Sequence, residues 1–281
     1  MRTLMISMVL LFSFTFSNAQ IETPQPSPNA VVEQVIGLTN VTVEYSRPSM
    51  RDRNIFGDLV PYDKVWRTGA NENTLIEFSE DVSILGNDIK KGKYAVFTKP
   101  MKSEWEIYLY TKTDNWGTPQ KWNEDLVAAQ FKVKTQNIDR TQESFRISFD
   151  NLSADKGHLE LVWANTMVEI PIEVPTDKAV MASIDQAMKG TTATEYYSAA
   201  GYYYSQDKDI KQAKEWIDKA MDKMDDAPFW MLRQQSLIYA KAGDKKGAVK
   251  VAKQSLKKAK AAGNDAYVKM NKESLKEWGA M

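Results

Sequence analysis

The chain contains no cysteine, and that absence excludes more chemistry than any residue present suggests. Without a thiol there is no disulfide framework, no thiolate metal site, no cysteine nucleophile and no lipid-modified cysteine behind a leader. Histidine is nearly absent as well. His158 is the one imidazole, so no histidine cluster can hold a transition metal, and a Ser-His-Asp triad would have a single base and no G-x-S-x-G elbow. It precedes Leu159 on an alternating segment, with Glu160 and Val162 on its own face, and reads as a sheet-surface residue. The glycines form neither a P-loop nor a dinucleotide fingerprint, so no cofactor is expected. Charge of one sign is missing too: Lys+Arg and Asp+Glu are both 37, and nothing draws the whole chain toward nucleic acid or a membrane surface.

Long apolar runs are missing after the first turns of the chain. Leu4 to Phe16 is apolar, with Arg2 ahead of it and the small Ser17-Asn18-Ala19 behind it, which reads as a signal peptide over 1–19 and a mature start near Gln20. A transmembrane anchor is the competing reading, but the run falls short of the roughly 20 residues a spanning helix needs. The expectation is a soluble exported protein, periplasmic or secreted and not a lipoprotein, with no transmembrane segment after cleavage. About 260 residues then remain, enough for two ordinary domains stabilised by their hydrophobic cores alone.

What is present divides by periodicity. From Ala30 to Val174 apolar residues recur with period two between turn residues, and strands are expected at Val41 to Tyr45, Leu75 to Phe78, Val82 to Leu85, Tyr94 to Thr98 and Trp105 to Tyr110. Further strands are expected at Ala128 to Val133, Phe145 to Phe149, Leu159 to Trp163 and Val168 to Val174, with turns at Gly86-Asn87-Asp88 and Lys91-Gly92-Lys93. Short strands without intervening helices imply an all-β sandwich or jelly-roll-like N-terminal domain over 20–175. After Pro175, alanine, lysine, methionine and glutamine replace the β-branched residues. Helices are expected near 177–189, 194–206, 209–224, 228–242, 245–262 and 265–278, making 176–281 an all-α domain.

That second half repeats itself. Tyr197, Ala200, Gly201, Tyr204, Ala213, Ile217 and Ala220 recur thirty-five positions on as Leu232, Gln235, Ser236, Tyr239, Ala248, Ala252 and Ser255. A helix-hairpin period near 34 resembles the tetratricopeptide repeat, with a degenerate second copy. The lysines from Lys245 to Lys260 flank an apolar stripe and read as a solvated helix face rather than a lipid-facing one. On the tetratricopeptide pattern the concave surface would include Glu195, Ser198, Tyr202, Trp230, Arg233 and Leu237. Of these Tyr202, Trp230 and Arg233 are the candidate contacts for a protein partner, against the alternative that the aromatics pack internally.

The densest segment is Arg47 to Glu72, where Pro48, Gly57, Pro61 and Gly69 punctuate a run of arginines and aromatics. Trp66 could be a stacking platform for a sugar, with Arg67 holding a carboxylate or orienting Glu72. Alternatively Trp66 plugs the sandwich end while Arg67 and Glu72 tie the loop. Arg47, Arg51 and Arg53 admit anion binding, but Asp52, Asp58 and Asp63 lie near enough in sequence to neutralise them, and an ion-pair network is the expectation. A second aromatic set, Trp105, Trp116 and Trp122, borders Asp114 to Pro119. If Trp116 is exposed on that turn it extends a ligand groove.

The β-half resembles a bacterial family of exported proteins catalogued as a domain of unknown function, DUF2911. The likeness rests on Tyr45-Ser-Arg-Pro48, Arg51, Arg53, Ile55 to Tyr62, Val65 to Glu72, Lys91 to Tyr94 and Asp114 to Gly117, and covers roughly Pro26 to Val174. The resemblance implies an exported β-rich protein, sometimes with a helical repeat appended, and supplies no reaction. The expected role is binding: a groove of Arg51, Arg53, Trp66, Arg67, Asn71, Glu72 and Trp116 for a glycan, peptide or envelope component, and helical hairpins for a protein partner. No nucleic-acid partner is expected. The rival is a hydrolase of glycans or envelope polymers that uses Glu72 and a second carboxylate.

Overall fold

The computed structural model describes residues 23–188 and 192–281, so the expected signal peptide and the end of the first expected helix lie outside the described residues. The described residues divide into two compact units, with the boundary between Pro175 and Thr176. Among the described residues no helix is long and apolar enough to cross a membrane.

The first unit is a nine-stranded antiparallel sheet. In chain order its strands are β1 (Asn29–Ile36), β2 (Thr39–Ser46), β3 (Thr74–Phe78), β4 (Val82–Ile84), β5 (Asn87–Ile89), β6 (Gly92–Pro100), β7 (Glu104–Tyr110), β8 (Val127–Asp150) and β9 (Lys156–Glu173). Side by side they run β1-β2-β3-β6-β7-β8-β9-β4-β5. The sheet becomes two layers through β8. Residues 127–134 pair with β7, residues 135–150 pair with β9, and the register shifts near Gln142 where the strand turns.

One core fills the space between the layers. Tyr45 of β2 is 2% exposed, and its hydroxyl reaches across to β8, accepting from Ile147 N at 2.9 Å and donating to Ile147 O at 3.3 Å. Trp105 on β7 and Trp163 on β9 are each 1% exposed within the same cluster. Burying such a ring removes on the order of 200 Å² from water, roughly 5 kcal/mol as an upper figure. The outer face of β6 and β7 is covered as well: Phe97, Tyr108 and Tyr110 pack under Trp122 of the 111–126 loop, with ring centroids 4.8 to 5.6 Å away. Alternation along β7 therefore separates two apolar clusters rather than core from solvent.

Three details differ from the sequence expectation: β1 is a strand at Asn29–Ile36 where none is expected, and two boundaries lie elsewhere. The pairs Ala128–Val133 with Phe145–Phe149, and Leu159–Trp163 with Val168–Val174, are continuous strands β8 and β9. No glycine or proline breaks residues 134–145; the apolar alternation lapses there because that stretch is largely solvent-facing. The other is the β4–β5 turn, which sits at Leu85 and Gly86 with φ of 50° and 78°, while Asn87 and Asp88 already belong to β5. Two positive-φ residues make the two-residue turn that matches strand twist.

Among the described residues the second unit has six helices: α1 (Thr176–Ala187), α2 (Ala193–Ser205), α3 (Ile210–Asp222), α4 (Phe229–Lys241), α5 (Lys245–Ala261) and α6 (Asp265–Glu277). Side-chain caps explain the starts of α2, α3, α5 and α6, while α4 begins after Pro228 without one. Thr192 and Glu195 form a reciprocal capping box, and Asp209, Asp244 and Asn264 each accept from the first turn they precede. The repeat positions are the packed ones: Ala200, Ala213, Ile217, Ala220, Ser236, Ala248, Ala252 and Ser255 are fully buried. Small side chains there let α2 approach α3 and α4 approach α5. The period continues once more, since Asn271 stands thirty-five positions after Ser236, is fully buried, and donates to Ser255 Oγ at 2.9 Å.

Candidate functional site

The segment between β2 and β3 is held in costly backbone conformations. Among the described residues nine non-glycine positions have positive φ, and five of them, Arg51, Asp52, Asp63, Thr68 and Asn71, lie in this one segment. Each costs on the order of 1 kcal/mol and persists because its surroundings fix it. The fixing contacts are visible. Trp66 and Thr98 exchange backbone bonds of 2.7 and 3.0 Å, Thr68 Oγ1 reaches Thr98 Oγ1 at 3.2 Å, and Thr74 Oγ1 donates to Thr68 O at 2.6 Å. Phe145 N bonds Pro48 O at 2.8 Å and Met50 N bonds Glu143 O at 2.9 Å, tying the start of the segment to β8.

Trp66 lies half-buried at the centre of an aromatic cluster. It stacks on Trp163 with centroids 5.8 Å apart at 18°, meets Trp105, Phe145 and Phe56 edge-on, and donates Nε1–H to Gly69 O at 3.1 Å. Plug and platform are therefore the same residue. One part of the indole closes the core, and the rest lines a cavity of about 390 Å³ together with Arg51, Arg53, Arg67, Asn71 and Trp163.

The arginines depart from the expected ion-pair network. Among the described residues the one arginine ion pair is Arg146 with Glu160 at 3.7 Å. Arg47, Arg51, Arg53 and Arg67 instead donate to backbone carbonyls: Phe145 O at 3.0 Å, Pro26 O at 2.7 Å, Met50 O and Ser49 O at 2.9 and 2.7 Å, and Asn71 O at 2.7 Å. The positive-φ backbone at Arg51 and Asp52 and the turn contacts around Met50 aim the guanidinium groups along the loop, where carbonyls are nearer than the neighbouring carboxylates.

Glu72 is not tied to Arg67. It is exposed and lines a separate cleft of about 300 Å³, with Tyr45, Ser46, Asn73, Asn115 and Trp116 among the other walls. Trp116 is 69% exposed. Asn115 Nδ2 donates to Gly117 O at 2.8 Å, and Gly117 has φ +72°; a Cβ there would lie 2.8 Å from Arg67 Cζ. Glycine is needed so that the turn under Trp116 can rest on the Arg67 guanidinium. Asn71 Nδ2 reaches Ser46 Oγ at 3.3 Å from the other side. Arg67 and Asn71 thus form the partition between the two cavities.

Asn73 is the residue that sequence reasoning passed over. It is 5% exposed, lines the Trp116 cleft, and neither Nδ2 nor Oδ1 has a partner within the protein; Asn115 Oδ1 in the same cleft has none either. Buried amide atoms are nearly always paired, so three unpaired ones lining one cleft set it apart from the rest of the β-unit. Its sequence signal was slight, an asparagine immediately after a turn-rich loop. Trp163 was assigned to a strand, with nothing to show that its ring would reach the loop.

In the helical unit Trp230 is 47% exposed at the start of α4, edge-on to Phe229 at 4.9 Å. Arg233 is half-buried, which pushes its pKa down, and donates to Ser274 Oγ at 2.9 Å. Tyr202 donates to Asp177 Oδ1 at 2.9 Å, and Asp177 also pairs Lys208 at 2.6 Å. Glu195 is engaged in the α2 capping box. Two of these four side chains join one helix to another, and Trp230 carries the open surface. His158, half-buried on β9, meets Asn151 Nδ2 through Nδ1 at 3.3 Å. Among the described residues no three His, Asp or Glu side chains converge as metal ligands.

No curated protein and no solved structure matches the chain. A family model described as a protein of unknown function, DUF2911, matches residues 27–172, the span that contains the β-unit's strands, both loop cavities and every arginine and tryptophan that lines them. The chain belongs to the DUF2911 family.

Proposed function

We propose that this chain is an exported, soluble saccharide-binding protein, not a lipoprotein, whose β-unit holds its ligand in the cleft beside Trp116. The single observation that carries the reading is the pairing of an indole 69% exposed with the unpaired amide atoms of Asn73 and Asn115 in the same cleft. A sugar ring offers an apolar face for the indole and hydroxyls that both donate and accept; Asn73 presents a donor and an acceptor, and Asn115 an acceptor. A peptide backbone could use the same amides, but it has no flat apolar face to set on Trp116. Export rests on the basic, apolar and small-residue order of residues 1–19. The helical unit, with Trp230 exposed, is suited to a protein contact.

Titration of the chain from Gln20 onward against an oligosaccharide panel, followed by tryptophan fluorescence and calorimetry, tests the reading. At least one saccharide should bind, and Trp116→Ala and Asn73→Leu should each weaken it about tenfold or more, with unfolding midpoints not lowered. Binding indifferent to both variants would remove the cleft from consideration. The hydrolase reading draws on Glu44, Glu72 and Asp114, whose carboxylates border the same cleft. Release of shorter products, abolished by Glu72→Gln, would replace binding with hydrolysis.

A further inference from the structure

We infer that the second cavity, behind Trp66, is an oxyanion site that takes the carboxylate of an acidic saccharide; the saccharide part of this inference rests on the function proposed above. Three arginines, Arg51, Arg53 and Arg67, line its about 390 Å³, and no Asp or Glu is among its lining residues. Among the described residues every hydrogen bond these side chains make is to a carbonyl: Pro26 O for Arg51, Met50 O and Ser49 O for Arg53, Asn71 O for Arg67. A carbonyl orients a guanidinium without cancelling its charge. Each guanidinium carries five N–H donors, so donors remain on all three after these bonds, in a fork that fits a carboxylate. The carboxylate of Glu143 on β8 meets the loop at the backbone, where Oε1 accepts from Arg51 N at 2.9 Å.

Gathering three like charges around one hollow is unfavourable until an anion joins them. The structure supports that cost in a loop already fixed by the Trp66–Thr98 bridge and by positive-φ backbone at Arg51 and Asn71. The half-buried Trp66, backed by the buried Trp163, supplies an apolar wall on which a ring can rest while its carboxylate meets the guanidinium groups. The partition explains why the ligand is assigned to the same molecule as the neighbouring cleft: Arg67 faces the arginine cavity and rests under the Trp116 turn, and Asn71 bonds Ser46 of the other wall. A uronate-bearing saccharide presents neutral hydroxyls to one cavity and a carboxylate to the other.

The experiment uses the whole processed chain and three probes: a uronate oligosaccharide, the neutral oligosaccharide of the same linkage and length, and inorganic phosphate. The uronate should bind about tenfold or more tightly than its neutral counterpart, and that advantage should shrink as salt rises from 20 to about 500 mM. Arg51→Gln and Arg53→Gln should each remove most of the advantage and leave affinity for the neutral sugar unchanged. Arg53→Lys, which keeps the charge but not the fork, should fall between. Unfolding midpoints of the variants, compared with wild type, separate loss of the site from loss of the loop. Equal affinity for uronate and neutral sugar overturns this inference and leaves the proposed function standing. Binding of no oligosaccharide overturns both, and arginine-dependent binding of phosphate alone overturns the saccharide source.

Discussion

Asn73→Leu should make the β-unit more stable while removing ligand affinity. The side chain is 5% exposed, and both of its polar atoms lack a partner within the protein. Burying an amide without hydrogen bonds costs about 1–3 kcal/mol. The low end of that range, a gain of roughly 1 kcal/mol, is the expectation when an apolar side chain of similar volume replaces the amide. For a unit of some 150 residues that corresponds to an unfolding midpoint raised by about 2–4 °C. Urea and thermal unfolding of the whole chain, followed by fluorescence of the β-unit tryptophans, reads the change. The helical unit should unfold as in wild type. A loss of 1 kcal/mol or more would show that the amide holds a structural bond and would refute the argument that its bonding is completed by a ligand.

Tyr45→Phe should cost about 1–3 kcal/mol in urea unfolding, because the missing hydroxyl leaves the buried N–H of Ile147 without an acceptor and uncouples β2 from β8. Gly117→Ala should destabilise the 111–126 loop by about 1–2 kcal/mol, and it should weaken both cavities together, since its φ is +72° and its Cβ would meet Arg67 Cζ at 2.8 Å; proteolysis of the loop and ligand titration check the two effects. Lys99 Nζ at 2.6 Å, and after it the Tyr108 hydroxyl, hold the Glu106 carboxyl below its ordinary 4.5. A depressed native pKa contributes stability that is whole above 4.5 and is lost as pH falls through the lowered value, so Glu106→Gln should flatten that part of the acid limb of an unfolding-versus-pH curve.

The helices were legible almost to the residue because each of their determinants is local. Asp209, Asp244 and Asn264 cap from the position before each helix, and the thirty-five-residue period marks the same buried small residues in each turn of the repeat. Strand positions were legible for the same reason, where alternation has one buried face. Alternation says little where both faces are covered, as on β7, or where both are open, as in the middle of β8 and β9. The sequence therefore read two long strands as four short ones, and the bend that makes two layers from one sheet falls in the stretch with the weakest pattern.

Candidate site residues were legible by type but not by partner, and the arginines show why. Sequence proximity of Asp52 and Asp58 to Arg51 and Arg53 suggested neutralisation, since opposite charges a few residues apart usually can meet. Whether they do depends on backbone direction. The backbone has positive φ at Arg51 and Asp52, and the guanidinium groups find Pro26, Ser49 and Met50 carbonyls instead. The same non-local cause separates Glu72 from Arg67, five positions away, and places an unremarked Asn73 against a tryptophan forty-three positions on. Arginines and aromatics were concentrated in one segment; the separation of an arginine-lined cavity from a cleft lined by Glu44, Glu72 and Asp114 is set where the Trp116 turn rests on Arg67. If that contact is what divides them, Arg67→Ala should merge the two specificities, lowering affinity for uronate and neutral sugars by similar factors, whereas Arg53→Gln affects the uronate alone.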